Sequence, residues 1–404
     1  MTPTKSPFCQ SPGNPAVYVA GGASAYDNTR AALANLDLSA ARGKRVLLKP
    51  NAGRIAPQGG GITTDPQVIV AAIDAFQEAG AQVAVGESPI AGVNTMEAFD
   101  ALGITPLARE RNCPLIDMDA RRYVKVAVPE GVVIDSLKVC PEVLEHDIIV
   151  SIPVMKMHMH TGVTLAVKNM KGCLWRRSKV DLHMLPPIED SEERPLNVAI
   201  ADLSGVLRPH LSIVDGTVGM EGLGPSAGKA KALGAVVVAA DPFAADAVSC
   251  QLMGLEAETV PHLRLGAARG YGVIDLSRIR VSPDTWRDWT VPFAPPPSEL
   301  AIEFPNLTIL DKNSCSACQS TLLLFLKRYG DRLFDYFPAD HPVSIAIGKG
   351  HCQVAEGTLC IGNCMAKHRG RGIFVPGCPP VGSEIMHAVS GKSEVDVKDG
   401  HSES

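Results

Sequence analysis

From residue 16 to about residue 250, short β-rich runs alternate with helical segments, and this alternation restricts the possible folds more than any other feature of the chain. The runs AVYVAGG, RVLLKPN, QVAVGES, DIIVSIPVMK, LSIVDG and AVVVAAD each end in a polar or glycine-bearing loop. Strands joined by helical crossovers pair in parallel and bury both faces under helices. The pattern predicts an α/β fold built on a large, mainly parallel sheet covered by helices. One crossover is well marked in TTDPQVIVAAIDAFQEAGA, where Thr64 or Asp65 can cap a helix, Pro66 suits its first turn and Gly80 follows its end. The segment RYVKVAVPEGVVIDSLKV alternates with period two about Pro-Glu-Gly and reads as an inserted hairpin, which makes the strand pairing mixed.

A length of 404 residues implies more than one core at roughly 100–200 residues per domain. The break falls at VPFAPPPSEL, residues 291–300, where proline density makes a stiff, non-helical connector. The expected division is a domain over residues 1–300 and a small α/β domain over residues 301–404. A net charge of −5 offers no polycationic surface, so no nucleic-acid partner is expected. The start lacks a charged region followed by an apolar core, and no uncharged apolar run approaches the roughly 20 residues of a membrane span. No membrane partner and a cytoplasmic location are the corresponding expectations.

The chain has 11 cysteines, and Cys315, Cys318, Cys352, Cys360, Cys364 and Cys378 crowd into its last quarter. In a reducing compartment such crowding points to metal ligation rather than cross-linking. The runs LTILD, VSIAIGKG, TLCIGNC and GIFVPGCPP predict a small sheet whose strands end in loops bearing glycine or cysteine. Loops after the C-termini of parallel strands gather along one edge. Cys315 and Cys318, spaced C-x-x-C before a helix, would meet Cys364 and Cys378 there. Four thiolates spread over separate loops suit a 4Fe-4S cluster, with zinc as the alternative. Gly377, Pro379 and Pro380 would hold Cys378 in a fixed direction. Cys352 is a candidate non-ligating thiol and Cys360 either faces the site or belongs to the core.

The stretch SIPVMKMHMHTGVTLAVKNMKG packs Lys156, His158, His160, Lys168, Asn169 and Lys171 into one strand exit. Lysines that share a pocket hold an anion, and a histidine can move a proton or bind a metal. LLKPNAGR adds Lys49 and Asn51 at the same expected edge, and VGESP adds Glu87 and Ser88. VDGTVGMEGLGPSAG reads as a glycine-rich loop carrying Asp215 and Glu221. The candidate catalytic groups are Lys156, His158, Lys168 and Glu87. The candidate anion-binding groups are Lys49, Asn51, Thr64, Asn169, Asp215 and Glu221. Neither a Walker A motif nor a G-x-G-x-x-G after a strand is present.

These motifs, KPN, GGGITTDPQVIVAAIDAFQEAGAQVAVGES, VMKMHMHTGVTLAVKNMKG, IVDGTVGMEGLGPSAG and AADPFAADAV, occur in order between about residues 45 and 255. They resemble the successive motifs of the domain of unknown function 362 family. The resemblance puts Lys49, Asn51, Thr64, Asp65, Glu87, Lys156, His158, Lys168, Asn169, Asp215, Glu221 and Asp241 at motif positions. It also implies iron–sulfur binding, although the compact C-x-x-C-x-x-C-x-x-x-C-P run of ferredoxin-like segments is missing from this chain. The resulting expectation is an iron–sulfur redox enzyme acting on an anionic small molecule with an unidentified redox partner. One alternative is a non-redox enzyme in which Glu87, Asp215 or Glu221 joins His158 on a divalent metal, the C-terminal zinc being structural. The other is a cluster scaffold or carrier without catalysis.

Overall fold

The computed structural model describes residues 6–9, 11–90, 92–296, 307–337 and 343–391. The chain forms two compact units, Met1–Leu182 with Pro186–Ser298 and His183–Leu185 with Glu299–Ser404. Residues 297–300 of the proline connector, the expected boundary at residue 300 and the tail beyond residue 391 lie outside the described residues.

In the first unit the strands are β1 (Ala16–Gly21), β2 (Arg45–Pro50), β3 (Gln82–Glu87), β4 (Leu115–Asp117), β5 (Val124–Ala127), β6 (Ser136–Val139), β7 (Ile148–Ile152), β8 (Val154–His158), β9 (Gly162–Thr164), β10 (Leu211–Glu221), β11 (Lys229–Ala239) and β12 (Arg280–Ser282). The main sheet runs β12-β1-β11-β10-β7-β2-β3-β4, with β8 pairing β10 and β9 beyond it. The block β10-β7-β2-β3-β4 is parallel, whereas β11 is antiparallel to both β1 and β10. This is the mixed, mainly parallel α/β architecture expected from the sequence. The hairpin is present as the separate antiparallel pair β5-β6.

The core follows from the burial of successive strand residues on both faces. Val46, Leu48, Val85, Val150 and Ile213 cluster with Ile69, Ile73 and Phe76 of the helix Pro66–Glu78. Each such side chain contributes about 1.5–3 kcal/mol when fully buried. Asp65 caps that helix by accepting from the Gln67 amide, Pro66 occupies its first turn, and Gly80 follows it with φ +85°. Among the described residues no helix is long and apolar enough to cross a membrane.

Two local readings are corrected. DIIVSIPVMK is two strands, because Pro153 separates β7 from β8. VDGTVGMEG is not a loop: β10 continues through Glu221 against β11, with an irregularity between Gly216 and Val218. Its glycines admit neighbours instead of a ligand. A Cβ on Gly216 would lie 2.7 Å from the Ala235 carbonyl oxygen, and one on Gly219 would lie 2.5 Å from that of Met155.

The second unit has strands β13 (Leu307–Asp311), β14 (Val343–Ile347), β15 (Leu359–Ile361) and β16 (Phe374–Val375), parallel and in that order. Leu322, Phe325 and Leu326 of the helix Ser316–Leu333 pack with Ile345, Ile361 and Val375, and Ile385 of the helix Gly382–Ser390 joins them. The cysteine-bearing loops follow the ends of β13, β15 and β16 and therefore share one edge of this sheet.

Candidate functional sites

At the C-terminal edge of the large sheet, several expected site residues hold the framework. Lys49 and Glu87 are an ion pair 2.8 Å apart, each side chain almost wholly buried. The Glu87 carboxylate also accepts from the Ala52 amide at 2.8 Å and the Ser88 amide at 2.9 Å. A Cβ on Gly172 would lie 2.4 Å from the Lys49 Cε, so glycine alone lets the Lys171–Cys173 turn close over the pair. Thr64 Oγ1 donates to the Ile152 carbonyl at 2.6 Å and accepts from the Asn51 amide at 2.9 Å. Asn169 Nδ2 donates to the Lys49 carbonyl at 3.1 Å and to Ser151 Oγ at 3.0 Å. These bonds tie the exits of β2, β3 and β7 together and leave Glu87 no unshared oxygen for proton transfer.

Asp215 accepts from the Asp65 amide at 2.7 Å and from the Thr217 amide and hydroxyl at 2.9 and 2.6 Å. Burial pushes its carboxyl up to about 6 against those bonds. Glu221 turns elsewhere, accepting from the Ala294 amide at 3.0 Å and pairing with Lys231 at 3.4 Å. Glu87, Asp215 and Glu221 thus each have separate partners, and among the described residues no three His, Cys, Asp or Glu side chains form a metal-holding group.

A second set of side chains at this edge is rich in lysine and arginine. Lys156 is buried and donates to the Ile62 carbonyl at 2.6 Å. Burial lowers its ammonium well below the usual lysine range, and the charges of Arg54 and Lys168 act in the same direction. Burial brings Lys168 down to about 7, with Arg54 adding to the effect. Lys171 is lowered by burial and by the charges of Lys168 and Lys179. Among the described residues, the half-buried Arg54 guanidinium makes no hydrogen bond or ion pair, and desolvation lowers it too. Like charges in a water-poor environment favour the binding of an anion.

The histidines stand beside this group. The His158 ring accepts from the His160 amide through Nδ1 at 3.1 Å, which leaves the proton of the neutral ring on Nε2. The His158 and His160 rings are 6.0 Å apart, and Arg194 Nη1 lies 3.1 Å from His160 Nδ1. His262 is fully buried, and burial together with the Lys168 charge pushes it down to about 3 against the effect of the Thr161 backbone. Sequence reasoning missed Arg54 and His262. Arg54 had a signal, since it lies in the exit loop that supplies Lys49 and Asn51. His262 begins an ordinary helix, Pro261–Ala268, and had none.

The four expected ligand cysteines of the second unit lie near one another without forming a metal-holding group. The Cys318 thiol is hydrogen-bonded to the Cys315 sulfur, which lowers Cys315 and raises Cys318. The charges of Cys315, Cys364 and Cys378 all act on Cys318. The Sγ atoms of Cys318 and Cys364 lie 3.5 and 3.8 Å from the point a Cβ on Gly362 would occupy, and Gly362 has φ +95°. Gly377 has φ +140°, and its Cβ would lie 2.6 Å from the Pro380 Cα, so the turn before Cys378 requires glycine. Cys360 is fully buried with Ala346 and Met365 and is a core thiol. Cys352 is exposed. Four thiols suit an iron–sulfur cluster in donor chemistry, and Cys315, Cys318, Cys364 and Cys378 would be the holding residues, although as they stand no three of them form a metal-holding group.

The family model described as Domain of unknown function (DUF362) matches residues 46–251, more than half of the chain. The chain belongs to this family. The DUF362 region contains Arg54, Lys156, Lys168, Lys171 and both His158 and His160, but not His262, and it ends before the cysteine-rich unit. Thylakoid-associated protein sll1697 of Synechocystis sp. is 28% identical over 219 residues, covering 54% of this chain and 66% of that protein, just under two thirds of its length. The lactate racemase apoprotein from Thermoanaerobacterium thermosaccharolyticum aligns over 85% of this chain and 73% of its own, at 13% identity and a TM-score of 0.39.

Proposed function

We propose that this DUF362 protein is an iron–sulfur redox enzyme acting on an anionic small molecule. The observation that supports this reading is the nearness of Cys315 and Cys318, at one helix start, to Cys364 and Cys378 in the loops after β15 and β16. When bound, a 4Fe-4S cluster would supply one-electron chemistry, exchanged with an external redox partner. The chain's own residues bind the cluster through those thiols and bind the substrate's negative charge through Arg54, Lys156 and Lys168. His158, whose Nδ1 accepts from the His160 amide, supplies Nε2–H as a donor. Lys49, Glu87, Asn51, Thr64 and Asn169 position the loops that present these groups. Neither nucleic acid nor a membrane span enters this reading.

The test is anaerobic purification followed by iron, sulfide and zinc analysis. About four irons and four sulfides per chain, with electrons accepted from dithionite, are expected. A colourless protein carrying one zinc and no iron would overturn the cluster assignment. Cytoplasmic location belongs to the same proposal, and cell fractionation checks it. Recovery with membranes, as the name of the thylakoid-associated relative describes for that protein, would contradict it.

A further inference from the structure

We propose that His183–Leu185 is a built-in cover of the thiol site, in which Met184 shields Cys378 and His183 positions the C-x-x-C turn. This inference rests on the reading of the four thiols as a cluster site. The three residues lie between the helices Ser178–Asp181 and Pro195–Ser204, yet they pack as part of the second compact unit. Their contacts there are specific. The Cys378 thiol donates to the Met184 sulfur at 3.2 Å, across 194 residues of sequence. His183 Nδ1 and Ser316 Oγ are 2.7 Å apart, across 133 residues. Ser316 lies between Cys315 and Cys318, so the segment touches two of the cysteine-bearing loops at once.

The chemistry of the two side chains suits cover better than ligation. A thioether is apolar, flexible and a weak acceptor, so Met184 can fill irregular space over a thiol while holding its proton only weakly. Both His183 and Met184 are half-buried, as expected for side chains laid against a surface. Pro186 and Pro187 follow directly and restrict the backbone beyond the contact. Solvent access and outer-shell hydrogen bonds set the lability and potential of a bound cluster. A cover on the Cys378 corner therefore regulates both.

The experiment compares the full-length protein with Met184→Ala, Met184→Leu and His183→Ala. In chelator-treated protein, the rate at which iodoacetamide labels Cys378 is read by peptide mass spectrometry. After anaerobic reconstitution with ferrous iron and sulfide, the decay of the cluster absorbance in air is followed. Met184→Ala is expected to label Cys378 severalfold faster and to lose its cluster severalfold sooner, whereas Met184→Leu, which keeps the volume, stays close to wild type. His183→Ala is expected to speed labelling of Cys315. Wild-type labelling in Met184→Ala, or labelling in Met184→Leu as fast as in Met184→Ala, would overturn the proposal. Faster labelling in Met184→Ala together with no cluster in the reconstituted wild type would uphold the cover and refute the cluster.

Discussion

The ammonium of Lys168 is held near neutral pH by two effects acting in the same direction, loss of water and the charge of Arg54. Its folded value of about 7 lies below the unfolded value, so the unfolded chain binds the extra proton between those limits. Burying Lys168 therefore costs stability below about 7, and the cost disappears as pH rises towards the ordinary lysine range. Anion binding has the opposite dependence, because it needs the protonated form. Sulfate, whose charge is constant here, should bind with steady affinity below about pH 7 and with affinity falling towards about tenfold per unit above it. Isothermal titration calorimetry measures this. Lys168→Met should weaken sulfate and remove the part of the fall that begins at about pH 7, leaving the dependence due to Lys156, and Arg54→Met should weaken sulfate at every pH. A flat profile in the unaltered protein would contradict the role given to Lys168. Glu87 makes a different prediction, since its partner Lys49 is almost wholly buried. Glu87→Gln leaves that charge uncompensated and should cost about 3–5 kcal/mol in urea denaturation. A variant of unchanged stability that no longer binds sulfate would show instead that Glu87 faces the ligand.

The short helix Ala166–Asn169 presents Lys168 and Asn169, and a carboxylate from another helix holds its start. Asp246, fully buried, accepts from the Ala166 amide at 2.7 Å and from the Val167 amide at 3.0 Å. Burial pushes its carboxyl up to about 8 although both bonds oppose the shift. Asp246→Ala leaves two buried amides without acceptors and should cost about 2–4 kcal/mol, read as a lower urea midpoint, with weaker sulfate binding. Asp246→Asn keeps an acceptor and should cost less. Equal stability of Asp246→Ala and wild type would show that the helix start does not depend on this carboxylate. The strands and the helix Pro66–Glu78 were legible because periodicity, capping and turn residues all act within a few positions. Asp246 was not, because it meets Ala166 only after the sheet brings distant segments together. The glycines of β10 misled for a related reason: their local signal is that of a loop, but the close approach of Met155 and Ala235 is what demands them.

At the scale of the molecule, the mainly parallel large sheet and the parallel small sheet each gather loops at their strand C-termini, one set rich in lysine and one set thiol-bearing. The edge rule made both gatherings readable from sequence, because it needs only strand order and direction. It conveyed Lys49, Glu87, Lys156 and Lys168 to one edge, but it could not separate framework groups from groups facing a ligand. That distinction depends on hydrogen bonds such as those of Asn169 and Thr64. Nor could sequence place His183–Leu185 with the second unit, since three residues between helices carry no periodic signal. The cysteines are the most exposed part of the account. Cys378 follows β16 beside the other three thiols, whereas Cys360 lies inside β15 with its side chain in the core. Iron and sulfide content of the anaerobically purified wild type, Cys378→Ser and Cys360→Ser proteins is therefore the most direct measurement. Wild type and Cys360→Ser should each carry about four irons and four sulfides, with Cys378→Ser largely depleted. Full iron in Cys378→Ser with loss in Cys360→Ser, or no iron in any of the three, would contradict the four-thiol site.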